Sequence, residues 1–236
     1  MRSQPANTVA ILPLRNGSKG LPRKNLRLLS GKPLYQHTLD QAVRTIGQCL
    51  ITTDIPEIIS ADTPNAATVI QRPLELAEDI TPMTPVLFHL FEHLQQACLK
   101  LPDVAVLLQA TSPLRSDDDI REAISLYAKG DFDLVMSVTR SDSTLLKHGI
   151  LDDGKFIPVS DPAHCFANRQ QLPKTVRPNG AIYVFSPKTF LRNGGFASAN
   201  IGAMEMPENR SIDIDNSADL IHAETIISDQ HLQIAS

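Results

Sequence analysis

Two charged segments carry the residues best suited to chemistry, and they lie near opposite ends of the chain. Near the start, Arg15, Lys19, Arg23, Lys24 and Arg27 are interleaved with Asn16, Gly17, Ser18, Gly20 and Asn25. Cations packed this closely would neutralise a triphosphate, and the glycines let backbone approach a ligand. Near the end, Ser211-Ile212-Asp213-Ile214-Asp215 sets two carboxylates at i and i+2. In a strand both would emerge on one face, with Ile212 and Ile214 on the other. Neighbouring carboxylates repel, which raises one pKa unless a cation sits between them, and hard oxygen ligands beside phosphates favour magnesium. A solvated strand end ahead of a helix cap at Ser217 fits the same residues equally well.

Positioning these groups falls to an alternating plan. The basic segment follows Thr8-Val9-Ala10-Ile11-Leu12-Pro13-Leu14, a run suited to a buried strand, so the cations occupy the loop beyond it. That loop fits neither the G-x-x-x-x-G-K-[ST] nor the G-x-G-x-x-G spacing. Further strands are expected at Cys49-Thr53, Ala67-Gln71, Val104-Gln109, Leu134-Thr139, Ala181-Phe185 and Gly202-Met206, with helical patterns between most of them. One helix is expected to start with Thr84 as N-cap and Pro85 at its first position. A second is expected from the N-cap Ser116 through Asp117, Asp118 and Asp119, ending at Gly130, and a third over Ser217 to Ile227. The alternation fails between Ser141 and Val176, where Asp152-Asp153-Gly154 suggests a hairpin turn and Pro158, Pro162 and Pro173 exclude long helices. Residues 1–140 and 177–236 therefore form the expected core, and 141–176 an inserted arm.

Composition narrows the partners. The 236 residues are 42% hydrophobic, enough for a sizeable core, and the formal net charge is −4. That balance offers no general attraction to nucleic acid or to an anionic membrane, so the local basic cluster implies a small anionic ligand. Cys49, Cys98 and Cys165 are widely spaced and form no C-x-x-C pair, which suits free thiols in a reducing compartment. Met1 to Thr8 lacks the apolar stretch of a signal peptide, and no run reaches membrane-spanning length; the expectation is a soluble cytoplasmic protein.

His89-Leu90-Phe91-Glu92-His93 matches H-x-x-E-H, a zinc peptidase pattern. At about 100° per residue both histidines fall opposite the stripe of Leu87, Leu90, Phe91, Leu94 and Cys98, on an expected solvent face, which makes two surface histidines the simpler reading.

The ensemble of motifs points further. Ser18-Lys19-Gly20-Leu21-Pro22 with Lys24-Asn25, Arg72-Pro73-Leu74-Glu75-Leu76-Ala77-Glu78-Asp79, Leu108-Gln109-Ala110-Thr111-Ser112-Pro113-Leu114-Arg115, Arg169-Gln170-Gln171-Leu172-Pro173, Arg177-Pro178-Asn179-Gly180-Ala181-Ile182-Tyr183 and Ser211 to Asp215 occur in order. In sequence and spacing they resemble the acylneuraminate cytidylyltransferases, or CMP-sialic acid synthetases, over nearly the whole chain.

The resemblance implies an α/β fold of three layers, α/β/α, with a mixed, mainly parallel sheet and a protruding dimerisation arm. It implies attack by the anomeric hydroxyl of a nonulosonic acid, N-acetylneuraminate first, on the α-phosphate of CTP, with Mg2+ (or Mn2+) assisting. By resemblance and by charge, Arg15, Ser18, Lys19 and Lys24 would hold the triphosphate, Asn25 the ribose region and Arg72 the nucleotide near its base. Asp213 and Asp215 would hold the metal and, with Arg15 and Lys24, form the catalytic set; Arg23 reads as surface charge. Gln109, Asn179 and Tyr183 would surround the sugar, with Phe196 against its acyl group. Lys147 and Arg169, in the arm, would reach the partner site of a homodimer with shared active sites. Ala110, where the family often has proline, and the single aromatic in Gly194-Gly195-Phe196-Ala197-Ser198 leave legionaminic, pseudaminic or deaminated nonulosonic acids open as substrates. A nucleotide-binding module without turnover is the remaining alternative, against which the paired aspartates argue.

Overall fold

Along Thr8–Leu14, β1, the alternation of side chains sends Ala10, Leu12 and Leu14 into one apolar layer and Ile11 into the other. A computed structural model of the chain describes residues 7–234, and the side chains of 7–229. Residues 1–6 of the amino-terminal stretch considered above lie outside the described residues.

After β1 come the short ribbon β2 (Leu28–Leu29) and β3 (Lys32–Pro33), α1 (Leu34–Thr45), β4 (Cys49–Thr53), α2 (Pro56–Ile59), β5 (Ala67–Gln71) and α3 (Met83–Gln96). Then follow β6 (Val104–Leu108), α4 (Asp117–Ala128), β7 (Leu134–Ser141), the hairpin of β8 (Gly149–Asp152) and β9 (Lys155–Pro158), β10 (Thr175–Phe185), α5 (Pro187–Asn193), β11 (Ile201–Glu205) and α6 (Ser217–Ile234).

One sheet takes the order β11-β7-β10-β6-β1-β4-β5. It is parallel except at β10, which runs antiparallel to β6 and β7. On one face α1 and α4 pack Leu39, Ala42, Ile120, Ala123 and Ile124 against β1 and β6. On the other, α3 and α5 pack Leu87, Leu90, Phe91, Leu94 and Phe190 against Ile11, Ala105 and Leu107. This is the expected three-layer α/β/α arrangement with a mixed, mainly parallel sheet. From β1 the chain builds outward to β4 and β5, then returns to β6 on the other side. The carboxyl ends of β1 and β6 therefore border a topological switch point, where open α/β sheets bind ligands.

Several boundaries differ from expectation, each for a local reason. The helix α3 starts at Met83 after Pro82, and Thr84 makes no cap bond; Pro85 lies in the first turn, where a missing N–H is tolerated. In α4, Ser116 caps as expected and forms a full capping box with Asp119. The helix α6 is capped by Asn216, not Ser217: Asn216 Oδ1 accepts from Ala218 N at 2.8 Å and Asp219 N at 3.1 Å. Strand β10 begins at Thr175, because the Pro178-Asn179-Gly180 run is absorbed as an irregularity in register between Pro178 and Tyr183. Its first residues pair with the end of β7, Thr175 opposite Ser141, so the insertion proper is shorter than 141–176.

Within that insertion β8 and β9 form their own two-stranded sheet, turning at Asp153 (φ 42°) and Gly154 (φ 77°) as the Asp-Gly signal predicts. It leaves large apolar side chains uncovered: Leu151 is 77% exposed and Phe166 91%. No helix among the described residues is long and apolar enough to cross a membrane.

Candidate functional site

The two charged segments meet. Gly20 lies so close to the carboxyl-terminal segment that a Cβ there would sit 2.4 Å from the Asp215 carbonyl oxygen. The glycine is thus explained by a backbone of the same chain, not by a ligand. Beneath this contact a third apolar cluster joins Leu21 of the basic loop to Ile214 of the acid segment, with Leu29, Leu34, Leu114 and Ala223. Burying a side chain such as Ile214, fully removed from solvent, is worth about 1.5–3 kcal/mol, so the apolar residues between the charges hold the charges together. Above it, Lys24 Nζ donates to Asp215 Oδ1 at 2.9 Å.

The basic loop is fixed at several points. Asn16 N donates to Asp54 Oδ1 at 2.8 Å, and Asn25 Nδ2 donates to the Arg15 carbonyl at 2.9 Å. Asn25, 7% exposed, therefore braces the loop. Arg23 adopts a left-handed conformation (φ 56°) and pairs with Glu57 on the outer side, consistent with its reading as surface charge. Arg15 pairs with Asp79, and Lys19 Nζ lies 3.5 Å from the same carboxylate. These cations hold the Asp79 carboxyl below the usual carboxylate range, Arg15 foremost.

The acid segment belongs to no strand, which corrects the strand expectation. Its alternation survives: Ile214 is buried, Asp213 and Asp215 are exposed. Instead of a ladder, individual bonds pin it. Arg210 grips Asp119 through two bonds of 3.0 and 2.8 Å, Ile214 N donates to the Thr111 carbonyl at 2.7 Å, and Asp219 Oδ2 accepts from Asp215 N at 2.8 Å. Desolvation within the cleft pushes the Asp213 carboxyl up, with Asp215 and Asp219 adding to the shift; a bond to Thr111 and the charge of Lys24 oppose it.

Between loop and acids lies a cavity of about 230 Å³ lined by Arg15, Ser18, Lys24, Arg72, Gln109 and Asp213, with Gly17, Thr111, Met83 and Asp215 among its other walls. Arg72, 4% exposed, donates to the Thr52 carbonyl at 2.9 Å, and burial brings its pKa down to about 10. A larger cavity of about 480 Å³ opens on the outer side of the same loop, between Arg23 and Glu57, and is poor in cations. The inner cavity holds the convergent charges and is the candidate site.

Of the residues singled out from sequence, Arg15, Ser18, Lys24, Asn25, Arg72, Gln109, Asp213 and Asp215 border this cavity. Lys19 stands at its mouth, 81% exposed, tied to Asp79. Tyr183 and Phe196 are not in its wall; they stack on each other with ring centroids 6.1 Å apart, and Phe196 also meets Phe185 and Phe190 edge-on. Burial, with the charge of Asp213, raises the Tyr183 phenol pKa. Asn179 lies outside the cavity, 4% exposed, its amide bonded within the protein. Lys147 and Arg169 are remote in the insertion, where Arg169 Nη2 lies 3.4 Å from Asp142 Oδ1.

Other functional neighbours escaped the sequence reading. Asp79 stands in a motif block, yet nothing in sequence says that it pairs with Arg15. Arg115, 1% exposed, donates to the Gln109 carbonyl at 2.8 Å and the Ala181 carbonyl at 3.0 Å, and burial lowers its pKa to about 9. It fixes the turn that presents Gln109. His93 is exposed as its helical position predicts, whereas His89 is half-buried and its Nδ1 has no partner, because the helix face turns further into the fold than the stripe suggested. Among the described residues no group of three or more His, Cys, Asp or Glu is arranged to hold a metal, His89, Glu92 and His93 included.

Oxygen donors suit a hard divalent cation here. The charge of Asp215 opposes the ionisation of Asp213, Asp215 is open to solvent, and the cavity between them and the loop cations has room for phosphate oxygens. The residues fit magnesium or manganese shared with a ligand.

Comparison with known proteins agrees with this geometry. The family model described as Cytidylyltransferase matches residues 9–192. The chain is 31% identical over 91% of its length to the N-acylneuraminate cytidylyltransferase of Streptococcus agalactiae serotype III, and spans about half (52%) of that relative. It is 25% identical over 94% of its length to the pseudaminic acid cytidylyltransferase of Campylobacter jejuni, covering 97% of that protein. The fold is similar to a solved CMP:2-keto-3-deoxy-manno-octonic acid synthetase complexed with CTP, with a TM-score of 0.70 at 17% identity over 95% of this chain and all of that one. With the family model matched over most of its length and the charged segments joined at the switch point of the matching fold, the chain belongs to the cytidylyltransferase family of nucleotidyltransferases.

Proposed function

We propose that this chain transfers the cytidylyl group of CTP to the anomeric hydroxyl of a nonulosonic acid, N-acetylneuraminate first, releasing diphosphate. The observation that carries this reading is the convergence of Arg15, Lys24 and Arg72 with Asp213 and Asp215 on one cavity at the carboxyl ends of β1 and β6. Names of relatives support the substrate class: one acts on N-acylneuraminate, another on pseudaminic acid.

In this reading Arg15, Ser18, Lys19 and Lys24 neutralise the triphosphate and align it, which is most of what phosphoryl-type transfer demands. Asn25 holds the loop from behind, and Arg72 donates to the nucleotide from a desolvated position where a hydrogen bond counts for more. Gln109 faces the acceptor, with Tyr183 and Phe196 forming an apolar platform beside it. The acceptor oxygen bonds to the α-phosphorus, the bond from that phosphorus to the oxygen bridging the α- and β-phosphates breaks, and diphosphate leaves with its electron pair. Asp213, in the wall of the cavity, is a carboxylate placed to receive the hydroxyl proton. Magnesium or manganese held by Asp213 and Asp215 would supply charge neutralisation at the reacting phosphate and acidify the sugar hydroxyl.

The insertion supports a homodimer. An exposed apolar surface of this kind marks an interaction site, and Lys147 and Arg169 within it would serve the partner's sugar carboxylate or phosphates. Legionaminic or pseudaminic acid is the second reading, favoured by the relative that acts on pseudaminic acid at near-complete mutual coverage. The test is diphosphate release from CTP and magnesium with a panel of nonulosonic acids. Fastest release with N-acetylneuraminate supports the first reading, preference for another acid the second, and no release with any acid refutes both.

A further inference from the structure

The acid segment lies in no ladder, so its position depends on the side chains that pin it. The pin nearest Asp213 on its amino-terminal side is Ser211, 6% exposed. Asn179 Nδ2 donates to Ser211 Oγ at 2.9 Å, and Ser211 Oγ donates in turn to the Pro207 carbonyl at 2.9 Å. The other end of the same carboxamide is held in the sheet. Asn179 Oδ1 accepts from Ser137 Oγ of β7 at 2.6 Å and from Ala181 N at 3.2 Å, while Ser137 Oγ accepts from Ile182 N at 2.9 Å. Nδ2 further contacts the Met206 sulfur at 3.3 Å. Both polar atoms of the Asn179 side chain are engaged within the protein, and the residue is buried beneath the segment that bears Asp213.

We propose that Asn179 is a positioning residue for Asp213, its carboxamide clamping Ser211 between β7 and the irregular stretch of β10 so that the acid segment keeps its place opposite the basic loop. The register irregularity of β10 between Pro178 and Tyr183 is then what turns the amide inward. Outer-shell partners of this kind set the orientation of metal-binding carboxylates, and losing one typically costs tenfold to a hundredfold in metal affinity or activity. The inference rests on the reading of Asp213 as a metal ligand, and it assigns Asn179 to the metal side of the site instead of the sugar side.

The test is a double-mutant cycle on Asn179→Ala and Ser211→Ala. Mn2+ affinity would be measured by electron paramagnetic resonance titration with CTP present, and the sugar KM in parallel. Each single variant is expected to weaken Mn2+ about tenfold and lower kcat, with the sugar KM nearly unchanged. The double variant is expected to be no worse than either single one, since both remove the same link. A raised sugar KM in Asn179→Ala with Mn2+ affinity intact overturns the proposal, as do additive effects. Should Asn179→Ala fail to fold, Ser211→Ala decides alone: weakened Mn2+ supports the clamp, and unchanged Mn2+ overturns it. If the wild-type protein binds CTP but no Mn2+, the metal reading of Asp213 fails first and the clamp's role falls with it.

Discussion

The cavity between the basic loop and the acid segment differs from the insertion between β7 and β10 in how much of its surface the chain satisfies by itself. At the cavity several charges are paired within the chain: Lys24 with Asp215, and Arg15, with Lys19 beside it, with Asp79. In the insertion Leu151, Phe156 and Phe166 face outward without cover. A site that neutralises itself can be built within one chain, whereas an apolar hairpin gains from a second surface. On the proposed reading, the difference separates the groups that one protomer supplies to its own cavity from those that it would lend to a partner.

The sharpest way to break this division is at the acids. Asp213→Asn or Asp215→Asn is expected to lower turnover on the order of a thousandfold while CTP still binds, measured by diphosphate release and by calorimetry. Turnover near the wild-type rate in both variants would remove the acid pair from the chemistry. Next in size, Arg72→Ala should weaken CTP about a hundredfold, because it removes the one cation of the cavity that is almost wholly buried. An unchanged CTP dissociation constant would make Arg72 purely structural.

The insertion is tested by mixing. A heterodimer of an Arg169→Ala protomer with an Asp213→Asn protomer contains one intact site if Arg169 serves its neighbour, so activity should return on mixing two nearly inactive proteins. A confirmed heterodimer that stays inactive would confine Arg169 to its own chain.

Smaller effects sharpen the electrostatics. Because the folded Asp213 pKa is raised, the folded state binds more protons than the unfolded one as pH climbs through the carboxylate range, and ionising Asp213 costs stability. Metal-free Asp213→Asn should therefore melt above the wild type at neutral pH, and the gap should vanish at pH below the ordinary carboxylate value. A gap of constant size across pH would contradict the desolvation argument. Asp79→Asn should tighten CTP a few-fold, about the worth of a half-exposed ion pair, by freeing Arg15 and Lys19; weaker CTP would mean that Asp79 orients Arg15 instead.

Much of the site was legible because it is local in sequence. The strands at Cys49–Thr53 and Ala67–Gln71 match their aliphatic runs, and the Ser116 N-cap was readable from its immediate neighbours. The basic loop could be recognised since its cations lie close together in sequence. What stayed hidden depends on distant partners. Nothing near Gly20 reveals that Asp215 will press on it, and nothing near Asp79 names Arg15. Asn179 is placed at the sugar by resemblance alone, while the fold absorbs its Asn-Gly step into β10 and buries the amide. His89 misled in another way: its helical angle reads as solvent-facing, yet the residue is half-buried.

The most direct measurement is a crystal structure with CTP and Mn2+, located by the anomalous signal of the metal. The expected result is one Mn2+ within ligand distance of the Asp213 or Asp215 carboxylate, with the triphosphate against Arg15 and Lys24 inside the inner cavity. A triphosphate seated in the outer cavity beside Arg23 and Glu57, with no metal at the acids, would contradict the account.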